Sequence, residues 1–189
     1  EALDVVEHAG LHPQLRHVAN SAVTLTLPEA HFDLVRPGIA VYGLSPVPQV
    51  STYGLRPAMT LHGAVALAKD VPAGTGVSYG HQYTTDRSTR LALVPLGYAD
   101  GVPRAATNLG EIWLAGRRRR ISGTVCMDQF VVDVGDDQVQ AGDAYTVFGP
   151  GDQGEPTAYD WADALGTISY EIITRIGVRV PRTYTGAAG

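Results

Sequence analysis

Glu111-Ile112-Trp113-Leu114-Ala115-Gly116, followed closely by Arg119-Arg120-Ile121-Ser122-Gly123-Thr124-Val125, decides the fold class of most of this chain. Two short runs of strand-forming residues flank a glycine-containing turn, the pattern of a β-hairpin. Similar runs lie on both sides. Upstream, Met59-Thr60-Leu61-His62-Gly63-Ala64-Val65-Ala66-Leu67-Ala68-Lys69 alternates as a strand, and Leu91-Ala92-Leu93-Val94-Pro95-Leu96 reads as another. Downstream, Phe130-Val131-Val132-Asp133-Val134 and Ala144-Tyr145-Thr146-Val147-Phe148 add two more. Many short strands broken by frequent turns predict a β-barrel or sandwich. Asp160 to Leu165 and Ser169 to Arg175 then read as helices, and a last strand is expected at Val178-Arg179-Val180-Pro181.

Ahead of this region the texture differs. His17 to Val23 reads as a short strand running into a polar loop. Leu27-Pro28-Glu29-Ala30-His31-Phe32 reads as a helix start with proline in its first turn. Leu34-Val35-Arg36-Pro37-Gly38-Ile39-Ala40-Val41-Tyr42-Gly43 reads as a buried strand, a Pro-Gly turn and a short helical segment. Strand followed by helix is the rhythm of an α/β unit. Residues 44–56, with Pro46 and Pro48 and with Pro57 just beyond, read as a linker. The division therefore falls near residue 50, with 1–49 the end of an α/β unit and 50–189 a β-rich domain. Glu1 to Gly10 reads as the end of a helix stopped by glycine, so the chain is expected to belong to a longer protein. The tail 185–189 is small and polar and is expected to fray.

Bulk properties remove several function classes. A net charge of −5 offers no basic surface for nucleic acid or anionic membrane. No apolar run is long enough to span a bilayer, and no secretory leader is visible. Cys126 is the single cysteine, so there is no disulfide framework, which fits a reducing cytoplasm. The six histidines show no metal-ligand spacing. Thirteen of the 14 basic side chains are arginine; the lone lysine, Lys69, reads as an ordinary solvated side chain in a strand.

Four motifs have the residue types that chemistry needs. In Arg36-Pro37-Gly38-Ile39, glycine allows a close backbone approach and the amides of Gly38 and Ile39 leave a strand-to-helix turn, a natural anion site. Ser21 can add a hydroxyl. In Gly76-Val77-Ser78-Tyr79-Gly80 a tyrosine between small residues has a constrained backbone and a free hydroxyl, which suits proton transfer. Gly97-Tyr98-Ala99-Asp100-Gly101 and Cys126-Met127-Asp128-Gln129 end strands in polar loops, where function concentrates. Taken singly, each also reads as an ordinary turn, a packed aromatic, or an aspartate capping its own loop.

In order and at their intervals, these motifs resemble the alanine racemase family. The resemblance runs from His17 to Tyr184 and includes His17-x-Ala19-Asn20-Ser21, Arg36 to Gly43, and Ser169-Tyr170-Glu171. It implies the end of a TIM-type barrel that binds pyridoxal 5′-phosphate (PLP), followed by a β-rich domain. It implies interconversion of L- and D-alanine, supplying D-alanine for peptidoglycan, in a cytoplasmic homodimer with a shared active site. Ser21, Gly38, Ile39 and Tyr170 then resemble the phosphate ligands. Arg36 resembles the arginine at the pyridine nitrogen, and His17 its support. Tyr79 resembles the catalytic tyrosine, which reaches the other subunit's site, and Tyr98 and Met127 resemble residues of the substrate side. The family's cofactor lysine lies upstream of the segments seen here, so this chain is expected not to racemise alone. Two other readings are a non-catalytic β-domain that binds or dimerises, and a PLP decarboxylase of the same architecture; the Arg36 motif and the Tyr79 loop argue against the decarboxylase.

Overall fold

The computed structural model describes residues 2–186. Glu1 and the last three residues of the expected fraying tail lie outside the described residues. The chain forms two compact units, Glu1–Ala58 and Met59–Gly189.

The first unit opens with helix α1 (Ala2–His8), and Gly10 follows it with a φ of 71°, the expected glycine stop. Two short segments then run parallel. The Asp33 amide donates to the Arg16 carbonyl, the Arg36 amide to the Ala19 carbonyl, and Asn20 pairs with Arg36. A parallel pair needs a crossover. Helix α2 (Ser21–Thr26) and a 3₁₀ turn (Pro28–Ala30) supply it. The strand expected through Val23 therefore stops early. The cause is Asn20, whose side chain accepts the Val23 amide at 3.1 Å and caps a helix in place of strand pairing. Pro28 sits in a first turn as expected, but the helix ends within three residues and Phe32 turns to a φ of 49°. After Pro37-Gly38 the chain makes a 3₁₀ turn (Ile39–Tyr42) that closes on Gly43. A Cβ at Gly43 would lie 1.6 Å from the Arg56 carbonyl oxygen, and its φ is 72°, so only glycine fits.

Among the described residues the second unit holds nine strands: β1 (Leu61–Ala64), β2 (Leu67–Val71), β3 (Gly76–Val77), β4 (Tyr83–Thr84), β5 (Thr89–Val94), β6 (Glu111–Leu114), β7 (Arg117–Arg120), β8 (Phe130–Gly135) and β9 (Ala144–Phe148). All named pairings are antiparallel, in sheets ordered β1-β9-β6-β7, β2-β5-β8 and β3-β4. The strand expected over 59–69 is split. The Val65 amide donates to Asp143, beside β9, while the next amide, Ala66, donates to Leu93 in β5. Consecutive residues thus serve different sheets, and the chain turns a corner between β1 and β2. At the opposite corner Ile121 pairs with Val132 and joins the β7 end to β8. The strands follow one another round a ring, which makes the unit barrel-like.

The interior follows from two-residue periodicity. Phe130, Val132 and Val134 of β8 are buried, together with Ile112 and Leu114 of β6 and Val147 of β9. The quoted hairpin pairs Glu111 with Arg120 and Leu114 with Arg117. Its two turn residues, Ala115 and Gly116, both have positive φ, the mirror-image turn that matches strand twist. Helix α3 (Ala158–Leu165) is fixed by a reciprocal cap between Thr157 and Asp160 and buries Trp161, whose indole N–H donates to the Val147 carbonyl. Helix α4 (Ser169–Thr174) follows. The strand expected at 178–181 does not form. Pro181 has no N–H to give a ladder, Val178 is 95% exposed, and the segment is tied down by side chains instead.

Phe130 fills the ring's interior, so Phe130→Ala in the complete protein should lower unfolding free energy by about 3–5 kcal/mol in urea titration. A loss under about 1 kcal/mol would place that side chain outside the close-packed core.

Candidate active site

In the first unit the Pro37-Gly38 turn meets the start of α2. Ser21 is buried, and its hydroxyl oxygen accepts the Gly38 amide at 2.8 Å and the Ala40 amide at 3.3 Å. With both acceptor positions engaged, the hydroxyl hydrogen is left to donate. The Ile39 amide between them donates to no protein acceptor among the described residues. One O–H and one N–H at a turn opening into a helical segment are a donor set that suits a phosphate oxygen. Arg36 and His17, on the two parallel segments, have exposed side chains, and no hydrogen bond joins them among the described residues.

In the second unit a cavity of about 690 Å³ brings together Tyr79, Tyr98 and Met127, with Arg104 and Asp128 on its lining. Each of the three predicted side chains is well exposed, Tyr79 by 75%. Tyr79 follows β3, and its main chain is pinned on both sides. The Ser78 hydroxyl donates to the Thr124 carbonyl at 2.7 Å and lies 3.1 Å from the Cys126 sulfur, while the Thr124 hydroxyl donates to the Tyr79 carbonyl at 2.8 Å. Ser78 adopts a φ of 62°, a conformation L-residues avoid and that surrounding contacts must hold. The backbone is therefore held while the phenol stands free.

The same loop is anchored again four residues on. The Tyr83 hydroxyl donates to Asp133 of β8 at 2.7 Å, and Thr89 donates to the other carboxylate oxygen. Burial, then the Asp133 hydrogen bond and charge, push the Tyr83 phenol up to about 12. Burial alone would raise the Asp133 carboxyl. Hydrogen bonds from Thr89, Tyr83 and the Gly135 amide outweigh it and hold that carboxyl below the usual range.

Tyr98 and Met127 are brought side by side by main-chain pairing. The Tyr98 amide donates to the Cys126 carbonyl and the Ala99 amide to the Met127 carbonyl, each at 3.0 Å. Gly97 lies against this pairing, where a Cβ would come within 2.2 Å of the Met127 carbonyl oxygen. Asp100 is buried and accepts the Gly97 amide at 2.8 Å, so it does cap its own loop. Sequence reading did not single out Ser78, Thr124, Arg104 or Arg179 for the site; their partners lie 45 or more residues away, or are a cavity rather than a motif. Tyr170, half-buried on α4, is not on the cavity lining.

The family model of the alanine racemase C-terminal domain matches residues 58–184, and that of the alanine racemase N-terminal domain matches residues 1–46. The chain belongs to the alanine racemase family. It is 70% identical over 187 residues to an alanine racemase of Thermobifida fusca, covering 99% of this chain and 50% of that protein. Over 187 residues it is 68% identical to an alanine racemase of Frankia casuarinae, covering 97% of this chain and 49% of that one. Among solved structures, the alanine racemase of D-cycloserine-producing Streptomyces lavendulae matches with a TM-score of 0.93 at 58% identity, covering 98% of this chain and 49% of that chain. The Bacillus anthracis alanine racemase with bound L-Ala-P matches with a TM-score of 0.91 at 38% identity, covering 100% and 49%. The chain thus spans about half the length of the curated relatives it matches. The expected architecture, a barrel-type N-terminal piece followed by a mostly β domain, stands.

Gly97→Ala in the complete protein should abolish the pairing of Tyr98 with Cys126 and of Ala99 with Met127 and leave little folded, soluble protein at 37 °C; a variant melting with the wild type would contradict the close approach. The Tyr83 phenol is raised in the folded state, so the stability it contributes is intact below its ordinary 10.0 and is lost as pH rises through about 12. Tyr83→Phe should flatten that alkaline decline in unfolding free energy. An unchanged slope would mean that neither burial nor Asp133 raises the phenol in the folded state.

Proposed function

We propose that this chain supplies the proton-donating tyrosine and the phosphate-holding turn of a PLP-dependent alanine racemase that interconverts L- and D-alanine. The observation that carries the proposal is the cavity lined by Tyr79, Tyr98 and Met127, with the Tyr79 main chain pinned on both sides and its phenol exposed. Bound PLP supplies the electron withdrawal that makes the alanine Cα hydrogen acidic. Racemisation then needs that hydrogen removed from one face and a proton returned on the other. Tyr79 serves one face, and its fixed backbone sets where the phenol oxygen can reach. Tyr98 and Met127 bound the space beside it and favour a small side chain.

In this reading the Ser21 hydroxyl and the Ile39 amide hold phosphate oxygens, Gly38 fixes the Ser21 oxygen through its amide, and Tyr170 adds a phosphate contact. Arg36, always charged, would hold the pyridine ring side of the cofactor, with His17 supporting it. A permanent cation there would disfavour a proton on the ring nitrogen and so temper the electron withdrawal that the cofactor supplies. Residues 1–49 belong to the cofactor barrel and 50–189 to the β-rich domain. The complete enzyme acts as a cytoplasmic homodimer in which Tyr79 serves the partner's site, and its product supplies D-alanine to peptidoglycan.

The test uses the complete protein loaded with PLP. Tyr79→Phe should cut racemisation by about 10²–10⁴-fold and impair one direction of Cα hydrogen exchange more than the other, with the cofactor's absorption unchanged. Equal losses of less than about tenfold in both directions would remove Tyr79 from proton transfer. Ser21→Ala should instead weaken PLP binding on the order of tenfold, the worth of about one good hydrogen bond, when titrated by fluorescence. Unchanged PLP affinity would take Ser21 out of the phosphate site.

A further inference from the structure

The segment after α4 forms no strand, yet it reaches both loops at the cavity edge through a single side chain. The Arg179 guanidinium lies with Nε 3.3 Å from Asp100 Oδ1 and Nη2 2.6 Å from Asp128 Oδ1. Asp100 is buried at the centre of the loop that carries Tyr98; Asp128 is half exposed and adjacent to Met127. The other oxygen of Asp100 holds the Gly97 amide. The segment is locked to the same loop by main chain as well. The Gly177 amide donates to the Asp100 carbonyl at 3.0 Å, and a Cβ on Gly101 would meet the Arg175 carbonyl oxygen at 2.4 Å.

We propose that Arg179 is a positioning residue that sets the spacing of Tyr98 and Met127, by holding Asp100 and Asp128 on one guanidinium. The planar fork suits this task, because it presents several N–H groups in fixed directions and can bridge two carboxylates at a set distance. Exposed ion pairs contribute little to stability, so the pair with Asp128 is poorly suited to holding the fold together. Its geometric consequence is larger. Asp128 directly follows Met127, whose carbonyl accepts the Ala99 amide, and Asp100 directly follows Ala99. Arg179 therefore closes a short cycle whose other side is the main-chain pairing of the two loops. Opening the cycle frees Met127 and Tyr98 to move apart, and the cavity then admits larger side chains. Arg179 touches neither substrate nor cofactor in this account.

The proposal rests on the racemase reading for the identity of the substrate, so its test has one arm independent of activity. In the complete protein, amide hydrogen exchange at Tyr98 and Ala99 should speed on the order of tenfold or more in Arg179→Met, with β5 and β8 unchanged. With PLP bound, the ratio of kcat/KM for alanine over a longer aliphatic amino acid should fall on the order of tenfold, mainly through KM, since misplacement of about 1 Å can cost up to about a hundredfold. Arg179→Lys should melt with the wild type yet not recover the ratio, because a point charge cannot bridge both carboxylates in fixed geometry. Unchanged exchange and unchanged selectivity in Arg179→Met would overturn the proposal, as would faster exchange spread evenly over the β domain. A wild-type protein that racemises no amino acid would overturn the racemase reading alone, leaving the exchange arm to decide whether Arg179 holds the loops.

Discussion

The cavity edge depends on two loops lying closer together than side chains allow. Gly97 sits where any Cβ would strike the main chain of Cys126 and Met127, and that contact lets the Tyr98 and Ala99 amides reach carbonyls across the gap. The pairing is not part of a named strand ladder. It joins the ends of β5 and the stretch before β8, two central elements whose register is already fixed by five paired positions. A rigid sheet delivers the loops, and a missing side chain brings them into contact. The result is a tyrosine and a methionine held side by side at the rim of one cavity.

Tyr79, on the lining of the same cavity, obeys a different constraint. It combines a pinned backbone with an exposed phenol. Ser78 accepts an unfavourable φ because its hydroxyl and that of Thr124 bind across to the facing main chain. Four residues later Tyr83 is bound to Asp133 inside β8, so strain at Ser78 is enclosed between two anchors. Strain of this kind persists where surrounding contacts over-determine it. Arg179 adds a third constraint from the segment after α4 that the sheets do not reach.

Much of this was legible in the sequence. The hairpin expected from Glu111 to Val125 about a glycine turn forms at 111–120, and the helices expected at Asp160–Leu165 and Ser169–Arg175 form at 158–165 and 169–174. Tyr79, Tyr98 and Met127 were singled out as motif residues, and they line one cavity. The misreadings share a cause. The apolar residues from His17 to Val23 suit a short strand running into a loop, and a single capping side chain, Asn20, overrides that preference. Met59 to Lys69 was read as one strand because alternation does not mark a corner; only the switch of partners between Val65 and Ala66 does. Val178 to Pro181 had strand-forming residues and no neighbour to pair with. The ties by Thr124 and Arg179 could not be read at all, because they join positions about 50 residues apart whose nearness only the fold creates.

We propose that the complete protein to which this chain belongs moves the Cα proton of alanine. The most direct measurement places L-alanine with the complete, PLP-loaded protein in D₂O and follows the Cα signal by NMR alongside chiral analysis of the product. Deuterium should enter Cα as D-alanine forms, and the two enantiomers should approach equal amounts. Loss of L-alanine without D-alanine, or no exchange at Cα, would contradict the account.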